Sequence, residues 1–307
     1  MIYTVTMNPA LDRTVWVRSI EADQANRIVK EIRYAGGKGI DVSKVLTNLG
    51  TANIALGLVG GFSGEELNGR LLNEGIECEF TKISGETRTN IIIHDMENDR
   101  QLIFNAEGPE VHPYELMQLV HKIEHLTDAT FLIISGSLPP GVHPEIYRAL
   151  VKKARSNNIR VVLDADGAAL STGIQGLPNI IKPNIHELGR YLGRTVSGPE
   201  EALQGARTIR QQGIEIVLVS LGAQGMLLVG EEELLATPPK IAVRSTIGAG
   251  DSAVAGFVYG LNQGRSQREA LRFAVAAGTA TVMQVETALC QKTDFQQVLP
   301  QVLISAL

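Results

Sequence analysis

Residues 246–251 read Thr-Ile-Gly-Ala-Gly-Asp and lead directly into an apolar stretch of small residues. If a helix begins here, the backbone N–H groups of Gly248, Ala249 and Gly250 are free to bind an anion. A carboxylate beside such a turn suits removal of a proton from an attacking hydroxyl, while the N–H groups stabilise a transferring phosphoryl group. Asp251 is therefore a candidate catalytic base. Taken alone, the hexapeptide equally fits a helix that Asp251 merely caps.

A second glycine cluster lies at residues 34–42, where Lys38 stands among three glycines. The pattern predicts an amphipathic helix from Val42 to Leu49, with the glycines in the preceding turn. Glycines and a lysine before a helix suit an anionic or hydroxyl-rich ligand. The spacing does not match a Walker A loop. A tight strand-to-helix turn without a ligand is the alternative.

Further polar residues follow predicted strands, where ligands bind in open parallel sheets. Asp12 could accept hydrogen bonds from sugar hydroxyls, and Arg88 could bind a phosphate through its guanidinium. Asn184 and Glu187, three residues apart at a predicted helix start, could hold a hydrated Mg²⁺. The glycine-rich loop at residues 220–225 could lie against a nucleotide. Each segment alone is also explained by a turn, a helix cap or an exposed charge.

Apolar runs alternate with helical patterns through the middle and C-terminal parts, which is typical of a parallel sheet covered by helices on both faces. The predicted strands are 131–134, 161–163, 180–181 and 216–219, and the predicted helices lie near 143–157, 184–192 and 200–212. Short alternating strands are predicted near 12–18, 28–34, 80–83, 90–94 and 101–105. We expect these to form a small separate sheet, which requires a ligand or a second subunit as its cover.

The composition is that of a globular protein, with 307 residues, 44% hydrophobic residues and a formal net charge of −5. The negative charge argues against nonspecific binding of nucleic acid. The two cysteines, Cys78 and Cys290, lack the spacing of a zinc site, and we expect a reducing cytoplasm as the location. We expect no signal peptide and no membrane span, since no stretch reaches the roughly 20 apolar residues that a span needs.

Seven motifs, in order along the chain, resemble those of the PfkB carbohydrate kinases, which are relatives of ribokinase. They are Asn-Pro-Ala-x-Asp, Gly-Gly-Lys-Gly, Thr-Arg, Ser-Gly-Ser-Leu-Pro, Lys-Pro-Asn-x-x-Glu, Ser-Leu-Gly-x-x-Gly and Gly-Ala-Gly-Asp. The resemblance implies an α/β fold, a ribokinase-like αβα sandwich with a mostly parallel, Rossmann-like sheet. It implies a single kinase domain over residues 1–307, with a β-sheet lid built from about 12–35 and 80–106.

The phosphosugar branch of that family is the most similar. Membership would imply transfer of a phosphoryl group from ATP to a ketohexose phosphate, with Mg²⁺. Fructose 1-phosphate is the favoured acceptor, and tagatose 6-phosphate and fructose 6-phosphate are the alternatives. The resemblance also implies a homodimer formed through the lid, and no nucleic-acid or membrane partner.

The resemblance assigns roles to the matching residues. Asp251 would be the catalytic base, and Gly248, Ala249 and Gly250 would form the anion hole. The residues expected to hold the phosphosugar are Asp12, Arg27, Gly37, Lys38, Asp41, Arg88, Ser137 and Asp251. The residues expected to hold the nucleotide are Lys182, Asn184, Ser220, Gly222, Gly225, Gly248 and Gly250. Asn184 and Glu187 would hold Mg²⁺ through water.

One departure concerns Asp41, because many relatives carry Asn there. An ionised Asp accepts hydrogen bonds but donates none, and it adds negative charge near a dianionic substrate. A second departure, Ser245-Thr246 in place of Asp-Thr, fits the phosphofructokinase branch.

Two other function classes stay open at this point. Residues 248–253 also match the Gly-x-Gly-x-x-Ala pattern of dinucleotide-dependent oxidoreductases, although no strand with an acidic end follows about 20 residues on. A sugar-phosphate sensor without catalysis would not need Asp251.

Overall fold

Two β-sheets and ten α-helices make up the fold, which a computed structural model describes for residues 1–285 and 288–307. The strands are β1 (Ile2–Thr6), β2 (Ala10–Val17), β3 (Ile28–Gly36), β4 (Asn53–Val59), β5 (Glu77–Cys78), β6 (Thr81–Lys82), β7 (Arg88–Asp95), β8 (Arg100–Phe104), β9 (Phe131–Ser135), β10 (Arg160–Asp164), β11 (Ile180–Ile181), β12 (Ile216–Ser220), β13 (Met226–Val229), β14 (Glu233–Thr237) and β15 (Leu303–Ala306). The helices are α1 (Lys38–Asn48), α2 (Gly61–Asn73), α3 (Pro113–Glu124), α4 (Glu145–Ser156), α5 (Gly167–Ile174), α6 (Ile185–Leu192), α7 (Gly198–Arg210), α8 (Ala249–Asn262), α9 (Gln267–Val282) and α10 (Lys292–Val298).

The large sheet has the strand order β15-β14-β13-β12-β11-β10-β9-β1-β4-β5, with β6 beside β4. Its strands are parallel from β5 to β12 and antiparallel from β12 to β15. The central strands β1, β4 and β9 are buried along their whole length. Burial on both faces explains why these strands read as apolar runs, and it confirms the predicted parallel sheet.

Helices cover both faces of this sheet. One hydrophobic core contains side chains from α3 to α7, a second contains side chains from α1 and from α8 to α10, and a smaller third contains side chains from α2. The helices predicted near 143–157, 184–192 and 200–212 are thus confirmed as α4, α6 and α7. Among the residues described, no helix combines the length and the apolar character that crossing a membrane requires.

The second sheet, here called the lid sheet, consists of β3, β2, β7 and β8 in that order. β2 and β7 run parallel, and the two outer strands run antiparallel to them. The sheet therefore combines one segment before α1 with one segment after α2, as the alternating patterns predicted. Strand β8 is exposed along its whole length, including the apolar Ile103 and Phe104.

Two predictions about local structure are corrected. Residues 80–83 do not join the lid sheet, because β6 pairs with β4 at the edge of the large sheet. Helix α1 begins at Lys38 rather than at Val42, with Gly37 at its N-cap in a left-handed conformation (φ 128°). Gly39 lets this first turn pack closely against β1, where a Cβ atom would lie only 2.5 Å from the Thr6 hydroxyl oxygen.

Candidate active site

A cleft of about 660 Å³ opens where the carboxyl ends of the parallel strands face the lid sheet. Five of the residues predicted from the sequence line it: Gly37, Lys38, Arg88, Ser137 and Glu187. The other predicted residues lie on or after β11 and β12, in the first turns of α1 and α8, or on and beside the lid sheet. Polar side chains that the sequence did not single out also line the cleft: Asn8, Asn90, Asn105 and Asp166.

Lys38 links the first turn of α1 to the ends of the central strands. Its Nζ atom lies 3.0 Å from Oδ1 of Asp164 and 3.8 Å from Oε1 of Glu187. Lys182, at the end of β11, places its own Nζ 3.2 Å from Oδ2 of Asp164. Burial alone would raise the pKa of Asp164, but the ammonium groups of Lys182 and Lys38 hold it below its usual value. The cleft therefore ends in a buried lysine–carboxylate network.

Asp164 is the main functional candidate that the sequence reasoning missed. It is the last residue of β10, directly after the apolar run Val161-Val162-Leu163. A carboxylate at the end of a buried parallel strand was the available signal. The position of Asp164 points to a site only once β10 is known to lie between β9 and β11. That strand order cannot be predicted from a local sequence pattern.

Asp251 lies in the first turn of α8, where only 9% of it is exposed. Its side chain does not cap the helix, because the N-cap position is Gly248 in a left-handed conformation (φ 72°). Burial raises the pKa of Asp251 to about 7, and the ammonium groups of Lys38 and Lys182 limit the rise. A carboxylate that titrates near neutral pH beside a helix N-terminus is suited to general base catalysis.

Most of the nucleotide-side candidates lie at the ends of β11 and β12, whereas Gly248 and Gly250 lie at the start of α8. Asn184 caps α6, since its Oδ1 accepts hydrogen bonds from the backbone N–H groups of His186 and Glu187, each at 2.9 Å. The Glu187 carboxylate accepts one from the Asn184 N–H at 2.8 Å, which completes a capping box. Asn184 also forms an isolated bridge with Ser220.

The loop after β12 contains two further nucleotide-side candidates. Gly222 and Gly225 adopt positive φ angles of 60° and 98°. A Cβ atom at Gly225 would lie 1.9 Å from the carbonyl oxygen of Ala236, so only glycine fits there. The turn therefore brings this loop back beside β14 and leaves Ser220 and Gly222 at the same sheet edge as Asn184.

Arg88 connects the lid sheet to the large sheet. Its Nη1 donates to the carbonyl oxygen of Ala106 at 2.8 Å, and its Nη2 donates to that of Asn8 at 2.9 Å. The Nε atom is buried and has no partner among the described residues. These two bonds use two of the five N–H groups of the guanidinium, and Arg88 also lines the cleft, so it keeps donors for an anionic ligand.

Two other predicted sugar ligands occupy different positions on the lid sheet. Asp12 accepts a hydrogen bond from Asn90 Nδ2 at 2.7 Å, and burial raises its pKa above the usual value. Arg27 is exposed just before β3 and is not among the residues that line the cleft. Asp12 is joined to the cleft through Asn90, which lines it.

A comparison of nearly the whole sequence with known proteins shows the family to which the chain belongs. Residues 5–294 match the pfkB family carbohydrate kinases. This chain belongs to that family. It is 35% identical to the 1-phosphofructokinase of Bacillus subtilis over the whole of both chains. It is 37% identical to the D-tagatose-1-phosphate kinase of Bacillus licheniformis, over 92% of each chain.

The fold of this carbohydrate kinase agrees with solved structures. Phosphofructokinase-2 from Escherichia coli, solved with potassium, superposes with a TM-score of 0.93 at 33% identity over 98% of both chains. Ribokinase from Arabidopsis thaliana superposes with a TM-score of 0.78 at 20% identity, covering 97% and 98% of the two chains. The ribokinase-like fold class is therefore confirmed. Family membership makes this pfkB protein an ATP-dependent sugar kinase and excludes the oxidoreductase alternative.

Proposed function

We propose that this kinase transfers the γ-phosphoryl group of ATP to fructose 1-phosphate, which gives fructose 1,6-bisphosphate. The observation that carries the proposal is a buried Asp251, with its pKa raised to about 7, within the electrostatic influence of Lys38, which lines the cleft together with Arg88. The names of two relatives support a ketohexose 1-phosphate as the acceptor, since both act on 1-phosphates. Fructose 6-phosphate and tagatose 6-phosphate are the competing acceptors.

In the proposed mechanism, each element around the cleft has a separate role. Asp251 removes the proton from the attacking hydroxyl, which makes the oxygen a better nucleophile. The free N–H groups at the start of α8 stabilise the charge on the transferring phosphoryl group. Lys38 and Arg88 bind anionic groups, and Ser137 lets the sugar approach the backbone. The lid sheet excludes water, which would otherwise accept the phosphoryl group.

We infer that Mg²⁺ accompanies ATP, where it would neutralise charge on the phosphates. Three carboxylates, Asp164, Glu187 and Asp251, surround the two ammonium groups of Lys38 and Lys182, so one negative charge is left to attract a cation. In residues 1–285 and 288–307, no three His, Cys, Asp or Glu side chains cluster to form a metal site. This donor set fits an ion that keeps most of its water, with Asn184 and Glu187 as the residues that would hold it through water.

Turnover with a panel of phosphosugars tests the proposed acceptor. We expect kcat/KM with Mg-ATP to be at least 100-fold higher for fructose 1-phosphate than for fructose 6-phosphate or tagatose 6-phosphate, which corresponds to about 2.7 kcal/mol of transition-state binding. ADP release in the steady state is the measurement, with tagatose 1-phosphate as a further acceptor. A preference for either 6-phosphate would overturn the proposed acceptor. Absence of turnover with all four would overturn the proposed phosphosugar class.

We also propose a homodimer in which the lid sheets of two chains cover each other. The exposed apolar side chains of this sheet support the proposal, because a surface of this kind is commonly buried against a partner: Ile28, Val29, Ile91, Leu102, Ile103 and Phe104. We expect sedimentation at dimer mass and a shift toward monomer in Phe104→Lys. Lys152→Glu, on the exposed face of α4, is the control and should sediment as the parent protein does. Monomer mass for the parent protein would contradict the proposal.

A cytoplasmic location is our further proposal. Cys78 and Cys290 are both free thiols, and this use of cysteine fits a reducing compartment.

A further inference from the structure

Two exposed histidines lie side by side at the end of α3. His121 is in the last turn of this helix, and His125 is its C-cap residue. Residues four apart on a helix are neighbours on its surface. The ring centres of the two side chains are 4.1 Å apart, and the ring planes are tilted by 46°. The end of α3 therefore presents a pair of imidazole groups to solvent.

A hydrogen bond fixes the tautomer of His125. Its Nδ1 atom lies 2.8 Å from the carbonyl oxygen of His121. Because a carbonyl oxygen can only accept, Nδ1 carries the proton, and Nε2 of the neutral ring keeps its lone pair. Histidines that bind metal ions are commonly held in this way, with one ring nitrogen donating to a carbonyl group and the other bound to the metal.

The ring of His121 is not engaged by the rest of the chain. Among the described residues, neither of its ring nitrogens has a hydrogen-bond partner, and its one ring contact is with His125. The adjacent cation is directed elsewhere, because Nζ of Lys122 donates to the carbonyl oxygens of Glu79 and Phe80 at 2.9 and 3.1 Å. In the neutral ring of His121, one nitrogen thus has a lone pair that no protein donor uses.

The surroundings of the two rings favour a bound cation. The last carbonyl groups of α3 leave a partial negative charge at its C-terminus. Glu124 ends the helix, and its carboxylate makes no hydrogen bond or ion pair within the described chain. Rings at this separation can place two nitrogens about 3 Å apart, as two ligands at about 2.0–2.1 Å from one ion require. Imidazole is a suitable ligand for Zn²⁺, Ni²⁺ and Cu²⁺.

We propose that His121 and His125 bind one divalent transition-metal ion through their imidazole nitrogens. Since no group of three His, Cys, Asp or Glu side chains in residues 1–285 and 288–307 could hold a metal, water completes the coordination. The site is separate from the cleft, because α3 leads into β9 and its last turn lies at the amino ends of the parallel strands. The proposal is therefore independent of the proposed function.

Calorimetric titration with Cu²⁺, Ni²⁺ or Zn²⁺, in the absence of nucleotide and Mg²⁺, tests the site. We expect one ion per chain at the tightest site, with Cu²⁺ bound more tightly than Ni²⁺ or Zn²⁺. His121→Gln and His125→Gln should each weaken binding at least about tenfold. His143→Gln, at an exposed position outside α3, is the matched control and should bind as the parent does. Parent-like affinity in either α3 variant would overturn the proposal.

The paramagnetic resonance spectrum of bound Cu²⁺ counts the nitrogen ligands directly. We expect splitting from two imidazole nitrogens in the parent protein and from one in each single variant. Splitting from a single nitrogen in the parent would show that a lone histidine binds the ion, and it would overturn the paired site. Because this measurement needs no turnover, two nitrogens in a protein inactive with every phosphosugar would leave the metal site standing while the proposed function fails.

Binding of the ion should also depend on pH and on folding. Protons compete with the ion for the imidazole nitrogens, so affinity should fall as the pH is lowered. The two rings are neighbours only when α3 is formed, so the ion should bind the folded chain more tightly than the unfolded chain. We expect saturating Zn²⁺ to raise the Tm of the parent by a few degrees and to leave that of the double variant His121→Gln/His125→Gln unchanged. An equal rise in the double variant would contradict the proposal.

Discussion

Replacement of Asp251 by Asn is expected to lower kcat by about 10²–10⁴-fold, because the attacking hydroxyl then loses its proton acceptor. The side chains are nearly isosteric, so the start of α8 and its anion-binding N–H groups are retained. ATP affinity should change little. Steady-state ADP release and a separate ATP-binding titration measure the two effects. Asp128→Asn is the matched control and should retain its activity, because Asp128 lies just before β9, at the amino ends of the parallel strands, where it accepts a hydrogen bond from Tyr3.

The pH profile provides an independent test of the same residue. With the pKa of Asp251 raised to about 7, the base is protonated below that pH, and kcat/KM should fall about tenfold per pH unit on the acid side. The residual activity of Asp251→Asn should lack this acid limb. Near-normal turnover in the variant, or an unchanged acid limb, would remove Asp251 from the role of base.

Replacement of Lys182 by Met is expected to lower the free energy of unfolding by about 3–5 kcal/mol. Lys182 and Asp164 are both buried, with 4% and 1% of each residue exposed. Loss of the ammonium group leaves a buried carboxylate with Lys38 as its remaining cation. Urea unfolding measures the difference, and Lys152→Met on the exposed face of α4 is the control.

A double variant separates the charge effect from loss of packing. Asp164→Asn in the Lys182→Met background removes the uncompensated charge, so it should recover part of the lost stability. The same ammonium group lowers the pKa of Asp251, so Lys182→Met should also move the acid limb of kcat/KM to higher pH. If Lys182→Met lowered the free energy of unfolding by less than about 1 kcal/mol, the Lys182–Asp164 pair would contribute no more than an exposed salt bridge, which would contradict this prediction.

Much of the fold could be predicted because its signals are local. Apolar runs such as residues 131–134 and 216–219 are strands buried on both faces, and no tertiary information is needed to recognise them. Residues 80–83 show the limit of this approach. Their pattern is compatible with either sheet, and the choice depends on the pairing of β6 with β4, which is a long-range contact.

Part of the candidate site could likewise be predicted from the sequence, namely the part that lies within short motifs. The glycine turn before Asp251 and the lysine in the first glycine cluster were evident, because each lies within a short motif. Asp164 was missed because a single carboxylate after a strand becomes informative only when two lysines from other elements meet it. Burial and the charge of Asp251 raise the pKa of Asp41, and no local pattern contains that information.

The order of the elements along the chain has a consequence for synthesis on the ribosome. Residues that line the cleft lie between positions 6 and 187, whereas the glycine turn and Asp251 come after β14. N-terminal parts of a chain emerge first and can begin to fold during synthesis. In the proposed mechanism, a growing chain therefore contains the residues that line the cleft before it contains the base, Asp251. A chain that has not reached residue 251 lacks this proton acceptor, and the core on the α1 face lacks α8 to α10, so we expect no phosphoryl transfer from it.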